Sequence, residues 1–198
     1  NGCGLNSDTP VIGNQDFFAA LVSNDFTSTT PAIPHGLATF LLNQPVAGNG
    51  IRAFPYSVDM TINPSTYSDS VGANVFGLGL IYASALWDMA WSLVQREGAS
   101  NDLVTGDGGE NRALRLQILA LKLQPCSAGL LDGRDALLEA DVNLYQGQYA
   151  CNIWNAFARR GMGVSATQGS TNSTADNVAA FDTPASCTDL IFADGFDP

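Results

Sequence analysis

No charged residue lies between Asp69 and Asp88, a gap of 18 positions, and the apolar stretch that overlaps this gap runs from Val71 to Val94. A segment this long and apolar must be withdrawn from water, and the rest of the chain has to be arranged around it. A membrane-spanning helix needs about 20 predominantly apolar residues. Here Ser70, Gly72, Asn74, Gly77, Gly79 and Ser84 interrupt the run, which suits a helix buried in protein rather than in lipid. Further helical patterns fall at Asp16–Asn24, Gly36–Leu42, Asn111–Leu123, Gly133–Leu144 and Tyr149–Arg160. The Asn111–Leu123 segment is apolar nearly all round and is expected to be central, with Pro125 stopping it. Arg159 and Arg160 fall in the last turn of their helix and Gly161 just past it, where cations and glycine are favoured. Pro45, Pro55 and Pro64 make the Asn43–Tyr67 stretch extended or looped. Strand signals are sparse, so the chain reads as mainly α with long loops.

The 198 residues fit one domain plus a tail, divided here into a helical body (1–164) and a loop or linker with an acidic, aromatic tail (165–198). Eight basic against 19 acidic residues leave a net charge of −11. That balance argues against nucleic acid, which needs lysine and arginine for counterion release, and against an anionic membrane surface. His35 is the single histidine, so no site built from two or more histidines of this chain alone is possible. The Gly- and Asp-rich run from Gly98 to Glu110 has neither a phosphate-loop lysine nor EF-hand spacing. The chain starts at Asn1, read as the end of a processed or trimmed product, and scarce lysine with an acidic balance fits secretion. Cys3, Cys126, Cys151 and Cys187 contain no C-x-x-C pair, and an even count in a secreted chain favours two disulfides, with three pairings open.

Five ordered segments carry a resemblance: Gly50-Ile-Arg-Ala-Phe-Pro-Tyr56 continuing to Asp69, Tyr82-Ala-Ser-Ala-Leu-Trp-Asp-Met89, Gly108-Gly-Glu-Asn-Arg112 continuing to Cys126, Leu131-Asp-Gly-Arg-Asp-Ala136 continuing to Asp141, and Cys151-Asn-Ile-Trp-Asn155 continuing to Gly163. Together they resemble the C-terminal lobe of the fungalysin family of secreted zinc metallopeptidases. The resemblance implies a fold like the largely helical lobe that follows the zinc-binding helix in fungalysins and thermolysin. It also implies a Cys126–Cys151 disulfide, which would leave Cys3 with Cys187. The ending Leu190-Ile-Phe-Ala-Asp-Gly-Phe-Asp197 resembles tails on secreted proteins of some Gram-negative bacteria.

In such peptidases an H-E-x-x-H helix supplies two zinc ligands and a general base, a later Glu is the third ligand, and another His stabilises the oxyanion. This chain has no H-E-x-x-H. Aligned on Asp16, the third-ligand position is Ile12; the oxyanion position is Phe76, and a position often acidic in relatives is Leu80. None of the three can bind a metal or donate to an oxyanion. The implied reading is a site lost and refilled as hydrophobic core, because apolar replacement of an unpaired buried polar group removes a desolvation penalty. Asp16 keeps the residue type that supports a zinc-bound histidine in relatives, but here it reads as a helix cap. His35 reads as a surface or capping residue, and no Gly-x-Ser-x-Gly elbow accompanies it. Asp132 with Asp135, and Glu139 with Asp141, read as a solvated helix face and its lead-in.

The expected function is that of a secreted pseudopeptidase that binds, scaffolds or assembles, without a cofactor of its own. Its partner would be a protein, a peptide or another copy of itself. Expected contact points are Phe54-Pro-Tyr56, the 98–110 loop and the tail at Phe192 and Phe196. One alternative is the C-terminal lobe of an active zinc endopeptidase whose H-E-x-x-H sits on a separate or removed N-terminal chain. A second is a structural subunit of an extracellular assembly.

Overall fold

The computed structural model describes residues 6–100 and 102–187. Among them the regular structure is five α-helices: α1 (Val11–Ser23), α2 (Val75–Glu97), α3 (Gly109–Leu123), α4 (Leu130–Tyr145) and α5 (Ala150–Arg159). Short 3-10 turns lie at Thr39–Leu42, Tyr67–Ser70 and Ala185–Cys187. Strand pairing is limited to isolated bridges such as His35 with Tyr56 and Leu37 with Gly50. The chain is thus mainly helical, in keeping with the fold that the resemblance implies.

The apolar stretch forms α2, and every residue from Leu78 to Val94 is buried. Asn74 caps it, accepting from the Phe76 and Gly77 amides at 3.0 Å each. Helices α1, α3 and α5 pack around it, and α4 closes over α3 and α5. The central position expected for α3 therefore belongs to α2. On α3, Leu116 and Ala120 face inward while Ile118 and Leu121 are exposed. Helix α3 lies between α2 and α4, with Leu114, Leu119 and Leu123 half-buried against the core and one edge left to solvent.

Helix α1 begins five residues before the expected Asp16, because its first turn has a tertiary partner. A Cβ on Gly79 would lie 2.5 Å from Ile12 Cγ2, and one on Gly13 would lie 2.9 Å from the Gly79 carbonyl. Two glycines at the crossing thus let the helices approach to backbone contact, a pairing that local propensity does not encode.

One charge sits inside the buried part of α2. Asp88 forms a bidentate pair with Arg160, Nε–Oδ2 2.7 Å and Nη2–Oδ1 3.0 Å, with both side chains fully buried. The guanidinium also donates to the Asn63, Ser65 and Ser57 carbonyls. Arg160 is thus the bolt joining the 57–65 loop, α2 and the end of α5, rather than a solvent-facing last-turn cation. Gly161 follows with φ +80°, the left-handed conformation expected there.

The stretch after Val164 carries no helix up to Pro184, yet it is docked rather than a free linker. Thr167 pairs with Val178, Met162 with Ala180, and Asn177 is buried. Its end is tied by a Cys151–Cys187 disulfide, which corrects the implied Cys126–Cys151 and Cys3–Cys187 pairing. Cys151 starts α5, and the loop after α5 returns to it, whereas Cys126 follows α3. Cys126 is also disulfide-bonded. Cys3 and the tail with Leu190, Phe192 and Phe196 lie outside the described residues.

Candidate functional site

Ile12 of α1 and Phe76 and Leu80 of α2, the three positions expected to have lost polar side chains, fall near the α1–α2 crossing. Ile12 rests on Gly79, between Phe76 and Leu80 on α2. Asp16 is one turn further along α1, 5% exposed and mid-helix, so it is not a cap. Its carboxylate is held from two directions. Arg52 donates through Nε to Oδ2 at 2.5 Å and through Nη2 to Oδ1 at 2.7 Å. The Tyr56 hydroxyl donates to Oδ2 at 2.7 Å. The Arg52 guanidinium in turn lies 5.2 Å from the Phe76 ring centroid, in cation–π range.

This arrangement is electrically closed. Asp16 holds the Arg52 guanidinium above its ordinary range, chiefly through the hydrogen-bonded pair. Burial, then the negative charge of Asp16, pushes the Tyr56 phenol well above its ordinary value. Asp16 thus spends its acceptors on this chain's own cation and phenol, where relatives are expected to present it to a zinc-bound histidine. The sequence reading missed Arg52 and Tyr56 as its partners, although both stand in the Gly50–Tyr56 segment. Tyr56 is 1% exposed, which removes it from the expected contact points; Phe54 at 37% remains.

Of the three apolar side chains expected to be core, one is buried. Leu80 is 5% exposed, Ile12 is half-buried, and Phe76 is 55% exposed. Phe76 sits in the first turn of α2, before the helix enters the core, and the Arg52 guanidinium stacks on its ring. A cleft of about 380 Å³ opens beside it, lined by Phe54, Pro64, Ser65, Asp69, Leu80 and Ile81. Gly77, the residue after Phe76, lines it too, and the one charged group among the described residues of its lining is the capping carboxylate of Asp69.

The residues present do not fit a zinc ion. The position expected to carry the third ligand is Ile12, a hydrocarbon packed on a backbone, and the expected oxyanion position is Phe76, a phenyl ring. Among the described residues no three His, Cys, Asp or Glu side chains converge on a possible metal position.

The other candidates resolve as follows. His35 is 6% exposed, neither on the surface nor a cap. Its ring stacks on Trp87 with centroids 5.5 Å apart, and Nε2 shares a hydrogen bond with Ser23 Oγ at 2.9 Å. Burial holds its pKa below the ordinary value, so the ring is neutral near pH 7. Ser23 ends α1, where backbone carbonyls give a negative field that opposes an oxyanion. This pair ties the loop to the helix and offers no route to acyl transfer. Asp141 is buried and accepts from the Tyr149 amide at 2.9 Å, which corrects its placement on a solvated face. Asp132 caps α4 through the Gly129 amide, and Asp135 pairs with Arg134 at the surface. In the 98–110 loop, Asp102 accepts from Val104 and Thr105, and Asp107 pairs with Arg112 and Arg115. Val104 at its tip is 87% exposed.

Comparison with known proteins bears on this geometry. Residues 4–166 match the family description "Fungalysin metallopeptidase (M36)". The chain is 35% identical over 184 residues to "Probable extracellular metalloproteinase 4" of Trichophyton verrucosum, covering 88% of this chain and 27% of that protein. It is 36% identical over 173 residues to "Extracellular metalloproteinase MEP" of Fusarium vanettenii, covering 82% of this chain and 26% of that protein. The chain therefore spans about a quarter of the length of these relatives. Both relatives are fungal and give no support to the bacterial source expected from the tail.

Proposed function

Starting from the chain's membership of the fungalysin metallopeptidase family, we propose that it is an extracellular pseudopeptidase lobe that binds a polypeptide rather than cleaving one. One observation carries the reading. Asp16, which relatives are expected to aim at a zinc-bound histidine, is locked to Arg52 and Tyr56, and the positions expected to hold the third ligand and the oxyanion donor are Ile12 and Phe76. A nearby loss of one donor is compatible with a displaced ligand. Loss of both, with the remaining carboxylate already satisfied, leaves zinc without a ligand from this lobe and a developing oxyanion without a donor. What remains is an apolar cleft between Phe54 and Leu80, with exposed Phe76 preceding Gly77 of its lining, a surface suited to an apolar side chain of a peptide or protein. The extracellular location follows from the relatives, which are named extracellular metalloproteinases.

The alternative is an enzyme lobe completed by a separate N-terminal chain carrying H-E-x-x-H, and native mass spectrometry of the secreted protein separates the two. The pseudopeptidase reading expects a metal-free species, alone or with a protein partner. A complex with a second chain plus about 65 Da of zinc overturns it.

A further inference from the structure

The start of α4 brings three carboxyl-bearing segments together. Asp8 comes from the segment before α1, Asp132 from α4 itself, and Asp176 from the loop that follows α5. The Asp8 side chain has no solvent exposure. Its Oδ1 accepts from Asn177 Nδ2 at 3.0 Å, and its Oδ2 accepts from the Leu130 amide at 3.3 Å. Its own amide donates to the Thr171 carbonyl at 3.0 Å. Asn177 also donates to Ser70 Oγ, and Gln168 bridges the Leu131 amide and Asp132. Gly129 permits this closeness, since a Cβ there would lie 2.6 Å from Asp8 Oδ2 and 2.4 Å from Gln168 Oε1. The Asp8 carboxyl is therefore the knot between the N-terminal segment, the 167–178 loop and α4.

The knot is poor in donors. Asn177 is buried and its Oδ1 has no hydrogen-bond partner. Asp132 and Asp176 are the charged groups that face Asp8, and both are acids. Tyr67, the other titratable neighbour, is held un-ionised by burial, and nearby Arg134 donates instead to the Met162 and Gly163 carbonyls. A proton on Asp8 would remove one of three neighbouring negative charges and supply a donor where acceptors are in excess.

We propose that Asp8 is an acid-tightened latch, which holds the 167–178 loop and the N-terminal segment on α4 more firmly in acidic surroundings and loosens them near neutrality. Burial, ahead of the neighbouring acids, pushes the Asp8 carboxyl up from 3.8 to about 6. A carboxyl raised in the docked state contributes fully below the free value of 3.8 and loses that contribution as pH rises through about 6. Between about pH 5 and about pH 7.5 the docking equilibrium weakens about tenfold. His35 works in the opposite sense, since a histidine lowered by burial destabilises the fold as pH falls below 6.5. A local measurement is therefore needed.

Hydrogen-exchange protection factors at the Leu131, Thr167 and Val178 amides, corrected for intrinsic rates, provide it. In the wild type they are expected to be about tenfold higher at about pH 5 than at about pH 7.5. In Asp8→Asn they are expected to be the same at both. Equal protection in the wild type, or an unchanged pH dependence in the variant, overturns the latch. Carboxyl-carbon NMR titration of the wild type tests it without any substitution. A midpoint of about 6 supports it, and one at 3.8 overturns it.

Discussion

Two aspartates on neighbouring helices each hold an arginine by two hydrogen bonds, and they do different work. Asp88 and Arg160 are sealed in the centre, where the guanidinium also satisfies three carbonyls of the 57–65 loop. Asp16 and Arg52 lie at the edge of the α1–α2 crossing, with Tyr56 as a third member and an exposed phenyl ring as cover. The first pair bolts elements together, and any helical lobe of this shape has a use for it. The second satisfies within this chain a carboxylate that the resemblance would place beside a metal ligand. A charged pair in the core joins elements, while the pair at the crossing satisfies a carboxylate beside an apolar surface.

The largest effect that separates the pairs is on stability. Arg160→Met leaves the Asp88 carboxylate buried and unpaired and three carbonyls without a donor, and it is expected to cost about 3–5 kcal/mol in urea unfolding. Arg52→Ala is expected to cost about 1–2 kcal/mol, because Tyr56 still donates to Asp16 and water can reach the vacated position. Equal losses in the two variants would abolish the distinction. The smallest effect is the most diagnostic. Phe76→His replaces an exposed ring and is expected to change stability by less than about 0.5 kcal/mol. It should not bring zinc, because Ile12 still offers no ligand. Zinc uptake by Phe76→His alone, read by isothermal titration, would show that the site retains donors this account denies it.

Much of the fold was legible because its strongest signal is local. The charge-free run into Asp88 announces a buried helix, and Pro125 and Gly161 mark boundaries that the chain respects. The errors arose where a partner distant in sequence decides. Helix α1 extends back to Val11 only because Gly13 and Gly79 allow the crossing, and α3 looks central by composition although α2 takes that place. Cys151 joins Cys187 because the loop after α5 folds back, a closure that its polar composition conceals. At the candidate site the substitutions were legible one by one through the resemblance. Their nearness to one crossing was not, and neither was the Asp16–Arg52–Tyr56 lock, which spans about 40 residues of sequence. Nor did composition show that Phe76 stays in solvent, since a first-turn phenylalanine looks the same whether or not something packs on it.

The proposed pseudopeptidase lobe would supply zinc with neither a ligand nor a use. Metal analysis of the secreted protein, equilibrated with excess zinc, dialysed and assayed in parallel for caseinolysis, tests it most directly. Zinc well below one equivalent and no cleavage are expected. One equivalent of retained zinc, together with casein hydrolysis that a chelator abolishes, would contradict that proposal.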